Sequence, residues 1–266
     1  MANTPIDGGD MELLLQVQGG LELAMAARPY WHFGLMRPAF RLTYYPSCWP
    51  SPALVNGAQH GNQPDKWPKA GTGCPNVNTP FPTYFNVKRC GPDELRVIYS
   101  LYYQHDGFSN LLIARGHEHD WERVVVIWRR NALTNQWLRS RVLFSMHSGY
   151  TAADWDDVSH TFDFANINEA NGKGKDGFRV YPGWAKHANF MDRETAWRDS
   201  VSQGCGREYR SDNYRYLPRK EDLVLASKGS ELGVVLSGFD WGSATGGPWA
   251  VEDAICDKDQ GGFIQC

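Results

Sequence analysis

Between Gly116 and Glu122 the chain places two imidazoles, His117 and His119, and three carboxylates, Glu118, Asp120 and Glu122. Two carboxylates about 4 Å apart repel by about 4 kcal/mol at an effective dielectric near 20. Water, a proton, a basic partner or a bound cation must offset that repulsion. On an extended chain Asp120 and Glu122 share one face, because side chains alternate with period two. An imidazole and hard carboxylate oxygens at one strand end suit Mg²⁺, Ca²⁺ or Mn²⁺ better than a thiol-seeking metal. The plainer alternative is a hydrated acidic strand end. Catalysis fits the spacing less well. Glycosidase carboxylates flank a scissile bond, whereas Asp120 and Glu122 lie side by side. His117-Glu118-His119 is not the helical His-Glu-x-x-His pattern of metalloproteases, and no Gly-x-Ser-x-Gly elbow or phosphate-cradling loop is present.

The elements that must hold these groups read mainly as strands. Glu122 to Trp128 becomes apolar on both faces, as in the central strand of a sandwich. Upstream, Leu95, Val97, Tyr99, Leu101 and Tyr103 alternate onto one face. Asn131 to Gln136 reads as a turn. The strand after it is expected to turn Leu138, Val142, Phe144 and Met146 inward, leaving Arg139, Arg141, Ser145 and His147 on the other face. Further strands are expected at Phe178–Tyr181, Leu223–Ala226 and Gly233–Leu236, and a short helix at Glu194–Ser202. Repeated short strands with turn signals predict a mainly β fold, a β-sandwich or barrel with loops and short helices, rather than βαβ units. Residues 1–30 read as a weakly ordered or weakly helical leader, and residues 31–266 as one domain.

At 266 residues the chain can bury one sizeable core. Its net charge of −3 gives no basic footprint for nucleic acid. The eleven tryptophans are expected mostly in the core, with some available for an exposed rim that meets sugar or a membrane interface. Six cysteines, Cys48, Cys74, Cys90, Cys205, Cys256 and Cys266, are even in number and form no Cys-x-x-Cys pair. An oxidising compartment would allow three disulfides in any of fifteen connectivities, and Cys256 with Cys266 would close a short loop. Free cytosolic thiols are the alternative, and secretion is the reading preferred. A signal peptide is not evident: Asp7, Asp10 and Glu12 come first, and Gln16, Gln18, Gly19 and Gly20 interrupt the apolar run.

The segment Gly116-His-Glu-His-Asp-Trp-Glu122 closely resembles the Gly-His-Arg-His-Asp-Trp-Glu heptapeptide of the necrosis- and ethylene-inducing-like proteins, and the chain is most like the fungal members. Ordered matches accompany it. They are Pro38-Ala-Phe40 with Cys48-Trp-Pro-Ser-Pro-Ala-Leu54, Ile98 to Asp106, Ser145-Met-His-Ser-Gly-Tyr150, Gly183-Trp-Ala-Lys-His-Ala-Asn-Phe190, and Phe239-Asp-Trp-Gly-Ser-Ala244. The resemblance implies a central antiparallel β-sandwich spanning residues 31–266, with a divalent cation in a cavity at one end. Carried over by position, the cation ligands are Asp106, His117, Asp120 and Glu122. His119 supports them, while His147 and His187 lie near the cavity as supporting or glycan-binding groups. It implies a Cys48–Cys74 bridge and, with Cys256–Cys266, leaves Cys90 to pair with Cys205.

Members of that family are secreted, and its cytolytic members bind the sugar head groups of plant sphingolipids and then damage the plasma membrane without being enzymes, which implies a cation-dependent cytolysin or effector that causes necrosis or immune elicitation. The implied partners are therefore sphingolipid head groups and a plant immune receptor, and the implied cofactor is Mg²⁺ or Ca²⁺, with Mn²⁺ as a further candidate. Two features depart from the pattern. Glu118 replaces the usual Arg, and three extra residues fall between Asp106 and Gly116, with Arg115 a candidate to restore the missing cation. A non-toxic glycan-binding or elicitor member and a metal-dependent hydrolase are the alternative functions.

Overall fold

The computed structural model describes residues 3–38, 42–109, 115–146, 149–169, 172–192, 207–209 and 212–258. Two long antiparallel strands, Glu94–Phe108 and Arg115–Asn131, form its spine. They are the middle of a seven-stranded sheet ordered Ile6–Asp7, Gln136–Met146, Arg115–Asn131, Glu94–Phe108, Thr83–Gly91 and Leu223–Leu225, with Gly149–Asp154 also against Gln136–Met146. Leu223–Leu225 joins in parallel, so the sheet is mixed. A smaller sheet combines Thr161–Phe162, Gly177–Pro182, Pro29–His32 and Arg215–Tyr216, with Asn189–Phe190 beside Gly177–Pro182.

The main core lies between the two sheets. Leu95, Val97, Tyr99, Leu101 and Tyr103 all face it, as their alternation predicts, against Trp31, Phe178 and Val180 of the smaller sheet. Val124, Val126 and Trp128 enter the same core, while Val125 and Ile127 are buried on the opposite face. That second face is covered by the C-terminal segment, whose Leu236, Trp241 and Ala244 pack on Tyr84, Tyr102 and Trp121. Burying a large apolar side chain contributes about 1.5–3 kcal/mol. Trp31, Trp128, Trp137, Trp155 and Trp184 are all fully buried, so the tryptophans serve mainly as core. The Asn131–Gln136 turn forms as expected, with Asn131 Oδ1 accepting from the Leu133 amide at 2.9 Å.

Several expectations are corrected. The segment read as a leader carries the helices Gly8–Gln16 and Leu21–Ala26, and Met11, Leu23 and Ala24 are fully buried in the main core. The interrupting Gln18 and Gly20 form the left-handed turn between these helices rather than a disordered stretch. Gly233–Leu236, expected as a strand, lies in the helix Glu231–Ser237. Ser230 caps it by accepting from the Gly233 amide at 3.1 Å. Leu236 turns inward while Val234 and Val235 are 58% and 47% exposed, so helical periodicity overrides β-branching.

The facing of Gln136–Met146 also differs. Trp137 and Arg139 are buried, whereas Leu138 is 36% exposed. A bulge between Arg139 and Arg141 resets the alternation so that Val142 and Phe144 face the core. Arg139 is tolerated inside because its guanidinium lies 4.5 Å above Trp128, donates to Ala26 O, and pairs with Asp176 at 2.9 Å. The expected helix at Glu194–Ser202 falls within 193–206, outside the described residues.

Cys48 pairs with Cys74, as the resemblance implies. Cys90 pairs with Cys256, which overturns the expected Cys90–Cys205 and Cys256–Cys266 bridges. The cause is tertiary. Arg96 donates to the carbonyls of Ile255 and Lys258 at 2.5 and 2.8 Å, fastening the C-terminal segment across the sheet and bringing Cys256 to Cys90. Cys205 and Cys266 lie outside the described residues. Non-reducing peptide mapping is expected to recover a Cys90–Cys256 cross-linked peptide. Because that bridge spans 166 residues, Cys256→Ser should lower unfolding free energy by about 5 kcal/mol by the chain-entropy argument. Equilibrium denaturation measures the loss, and a cost below that of breaking Cys48–Cys74 would contradict it.

Candidate functional site

The site forms where the two spine strands approach their shared end. Asp106 lies directly opposite His117, Tyr103 opposite Asp120, and Leu101 opposite Glu122. Gly116 permits the close pairing, since a Cβ there would stand 2.2 Å from Asp106 O. A regular strand would send His117 and Asp120 to opposite faces. His119 between them adopts a left-handed φ of 61°, which breaks the alternation and lets both line one cavity. Asp106, His117, Asp120 and Glu122 thus meet around a space of about 430 Å³. Its far wall comes from the C-terminal segment, through Ser243, Thr245, Gly246 and Val251.

A tight turn between Gly177–Pro182 and Asn189–Phe190 brings in two further groups. Ala185 and His187 both have left-handed backbones, with φ of 65° and 53°. The turn is pinned by Gly183 N to Ala188 O at 2.8 Å and by Gly107 N to Ala185 O at 2.7 Å. Such backbone strain persists only where surrounding contacts enforce it. It delivers Lys186 Nζ to 2.5 Å from Asp106 Oδ2 and His187 Nδ1 to 3.0 Å from Asp120 Oδ2. The His187 ring stacks flat on Tyr103 at 3.7 Å.

Hydrogen bonding sorts these groups chemically. His117 Nδ1 lies 2.8 Å from His119 O and so carries the proton, leaving the Nε2 lone pair toward Asp106 at 3.5 Å. That is the tautomer a metal ligand requires. Glu122 accepts from Ser145 Oγ, which in turn accepts from the Arg123 amide at 2.9 Å and from Asn189 at 3.2 Å. Asp106 Oδ1 is buried and has no hydrogen-bond partner among the described residues. Asp106, Asp120 and His187 offer ligand atoms within 4.8 Å of one another, a grouping able to hold a cation.

His119 sits elsewhere. Its ring contacts Trp241 at 5.2 Å edge-on, and its Nδ1 is 2.5 Å from the Tyr102 hydroxyl, within the outer aromatic cluster. Its contribution to the cavity is its backbone: the turn and the carbonyl that orients His117. Glu118 brings Oε1 to 3.9 Å from His119 Nε2. It also accepts from Gln63 at 2.8 Å and does not line the cavity. His147 and the Arg115 side chain lie outside what is described. Lys186, Ser145 and the Ser243–Gly246 wall were not singled out as site residues, although Lys186, Ser145 and Ser243 fall within segments that the resemblance quotes.

Burial dominates the electrostatics. It raises the Asp106 carboxyl to about 6, with Asp120 adding to the rise and Lys186 opposing it. It raises Asp120 to about 7, opposed by His117 and Lys186, and lifts Glu122 well above the usual range. Unfolded carboxyls titrate near 4. Between about pH 4 and 7 the folded chain therefore holds more protons than the unfolded one, and these groups erode stability as pH rises through that window. In chelator, Asp120→Asn should remove part of that penalty. The expected gain at pH 8 is at least about 1.4 kcal/mol, the equivalent of one pKa unit, with a smaller gain at pH 5. Denaturant titrations at both pH values measure this, and equal effects at the two would contradict the assignment.

Residues 37–181 match the family model described as necrosis inducing protein (NPP1). No curated protein matches the chain. Solved structures are similar over nearly the whole length. The non-toxic protein HaNLP3 is 18% identical with a TM-score of 0.51, covering 97% of this chain and 93% of its own. A structure described as a toxin fold serving microbial attack and plant defense is 18% identical with a TM-score of 0.53, covering 97% and 92%. NLPPya in complex with mannosamine is 17% identical with a TM-score of 0.52 over the same shares. At such identities these likenesses carry the fold alone. The matched 37–181 segment spans more than half of the 266 residues and contains the paired strands with all four acid and imidazole positions, and on that ground the chain belongs to the necrosis inducing protein family.

Proposed function

We propose that the protein is a secreted, non-enzymatic effector that binds plant sphingolipid head groups at the outer leaflet through a divalent cation, Mg²⁺ or Ca²⁺, and so causes necrosis or immune elicitation. Asp106, His117, Asp120 and Glu122 would hold the ion, with His187 orienting Asp120. Once bound, the cation supplies open coordination positions for sugar hydroxyls. The observation that carries the reading is the set of mutually repelling buried carboxylates, Asp106, Asp120 and Glu122, that line a cavity of about 430 Å³, with Asp106 Oδ1 lacking a hydrogen bond among the described residues. Hard oxygen donors with one imidazole match Mg²⁺ and Ca²⁺ chemistry. The amino-sugar complexes of NLPPya, with mannosamine and with glucosamine, support a sugar as the cavity's occupant.

No helix among the described residues is long and apolar enough to cross a membrane, which fits shallow docking on head groups. Two disulfides among the described residues favour an oxidising compartment. The likeness to a non-toxic protein keeps a glycan-binding member without toxicity as the second reading.

Vesicles containing plant sphingolipids should bind the protein in millimolar Ca²⁺ or Mg²⁺ and release it with chelator. Glu122→Ala should weaken binding at least about tenfold, the effect of losing an anionic ligand, while near-UV circular dichroism remains that of the folded protein. Cation-independent binding would overturn the proposal. Leaf infiltration with the purified protein then separates the two readings, since only a toxic member produces necrosis.

A further inference from the structure

The cavity contains a positive charge of its own. Lys186 Nζ lies 2.5 Å from Asp106 Oδ2, and its side chain is 18% exposed. It does not reach there by chance rotation of a surface lysine. The turn that carries it has left-handed backbones on both sides, at Ala185 and His187, and the Gly107 amide bonds Ala185 O at 2.7 Å, tying the turn to the residue after Asp106. The same turn aims His187 at Asp120. Asp106 is therefore satisfied on Oδ2 by an ammonium and left without a hydrogen bond on Oδ1.

We propose that Lys186 is a resident cation that a divalent ion must displace from Asp106, and that loading the ion frees its ammonium to donate to an oxygen-rich ligand in the cavity. This rests on the cation-binding reading above. An ammonium and a divalent ion drawing on one carboxylate repel each other, and the doubly charged ion makes the stronger claim. A four-carbon stem with rotatable donors suits the exchange, since lysine moves as a point charge without the planar fork of arginine. Lys186 also lines the cavity beside His117 and Asp120, so its displaced ammonium has space to enter.

Calorimetric titration with Ca²⁺ and Mg²⁺ compares the wild-type protein with Lys186→Met and Lys186→Arg. The methionine variant should bind at least one ion roughly tenfold more tightly, while the arginine variant stays close to wild type. On the wild-type protein, lysine acetylation mapped by mass spectrometry should label Lys186 several-fold faster in millimolar Ca²⁺ than in chelator. That measurement stands even if Lys186→Met does not fold. Equal or weaker affinity in the methionine variant, or a labelling rate indifferent to Ca²⁺, overturns the displacement while leaving cation binding intact. Absence of binding in every variant overturns both.

Discussion

Three carboxylates are buried at the end of one strand pair, and the arrangement of the site follows from the countercharge they require. Desolvation alone would drive Asp106, Asp120 and Glu122 toward their neutral forms. Each has a different answer. Asp106 takes an ammonium, Asp120 an imidazole N–H, and Glu122 a hydroxyl that is itself fixed by a backbone amide and an asparagine. These partners come from two separate parts of the chain, Lys186 and His187 from one turn and Ser145 from the strand Gln136–Met146. The strained Ala185–His187 turn and the polar Ser145 facing the core end exist where they do because they answer a charge problem.

The two sheets make that problem soluble. The apolar core between them excludes water from the inner face of the spine strands, and the same face, continued to its end, carries the acids. Tyr103 marks the transition: it belongs to the apolar core and also stacks on His187. A short step along the strand thus converts a hydrophobic interior into an ionisable one. On the outer face, His119 and Trp121 continue the strand into a packed aromatic cluster that fixes its course.

Much of this was legible in the sequence, because it is local. The alternation from Leu95 to Tyr103, the doubly apolar Val124–Trp128 and the Asn131–Gln136 turn each fit within one element. The clustering of Asp120 and Glu122 was visible for the same reason. Long-range contacts were not visible. The Arg139 bulge shifts one strand's facing by a residue without any sign in composition, and Cys90 finds Cys256 because Arg96 fastens a distant segment. The helices at Gly8–Gln16 and Leu21–Ala26 are short and carry weak periodic signals, so their burial depends on the sheet they cover. His119 illustrates a subtler limit. Its side chain drew attention as a site group, but the site uses its backbone, and a left-handed residue in mid-strand has no sequence signal when it is not glycine.

The cavity wall has a further bearing on how the molecule comes into being. Ser243 to Val251 close the space against acids at positions 106 to 122, so roughly half the chain intervenes between the two sides of one pocket. Contacts of such separation form late, because the entropy of closing so long a loop must be met before they contribute. During synthesis the acidic strand end therefore emerges wet and remains so until the segment from Ser243 to Val251 arrives to cover it. Hydration, the solvent's own solution to carboxylate repulsion, serves the nascent chain, and the site acquires its dry, electrostatically demanding character only when that long loop closes.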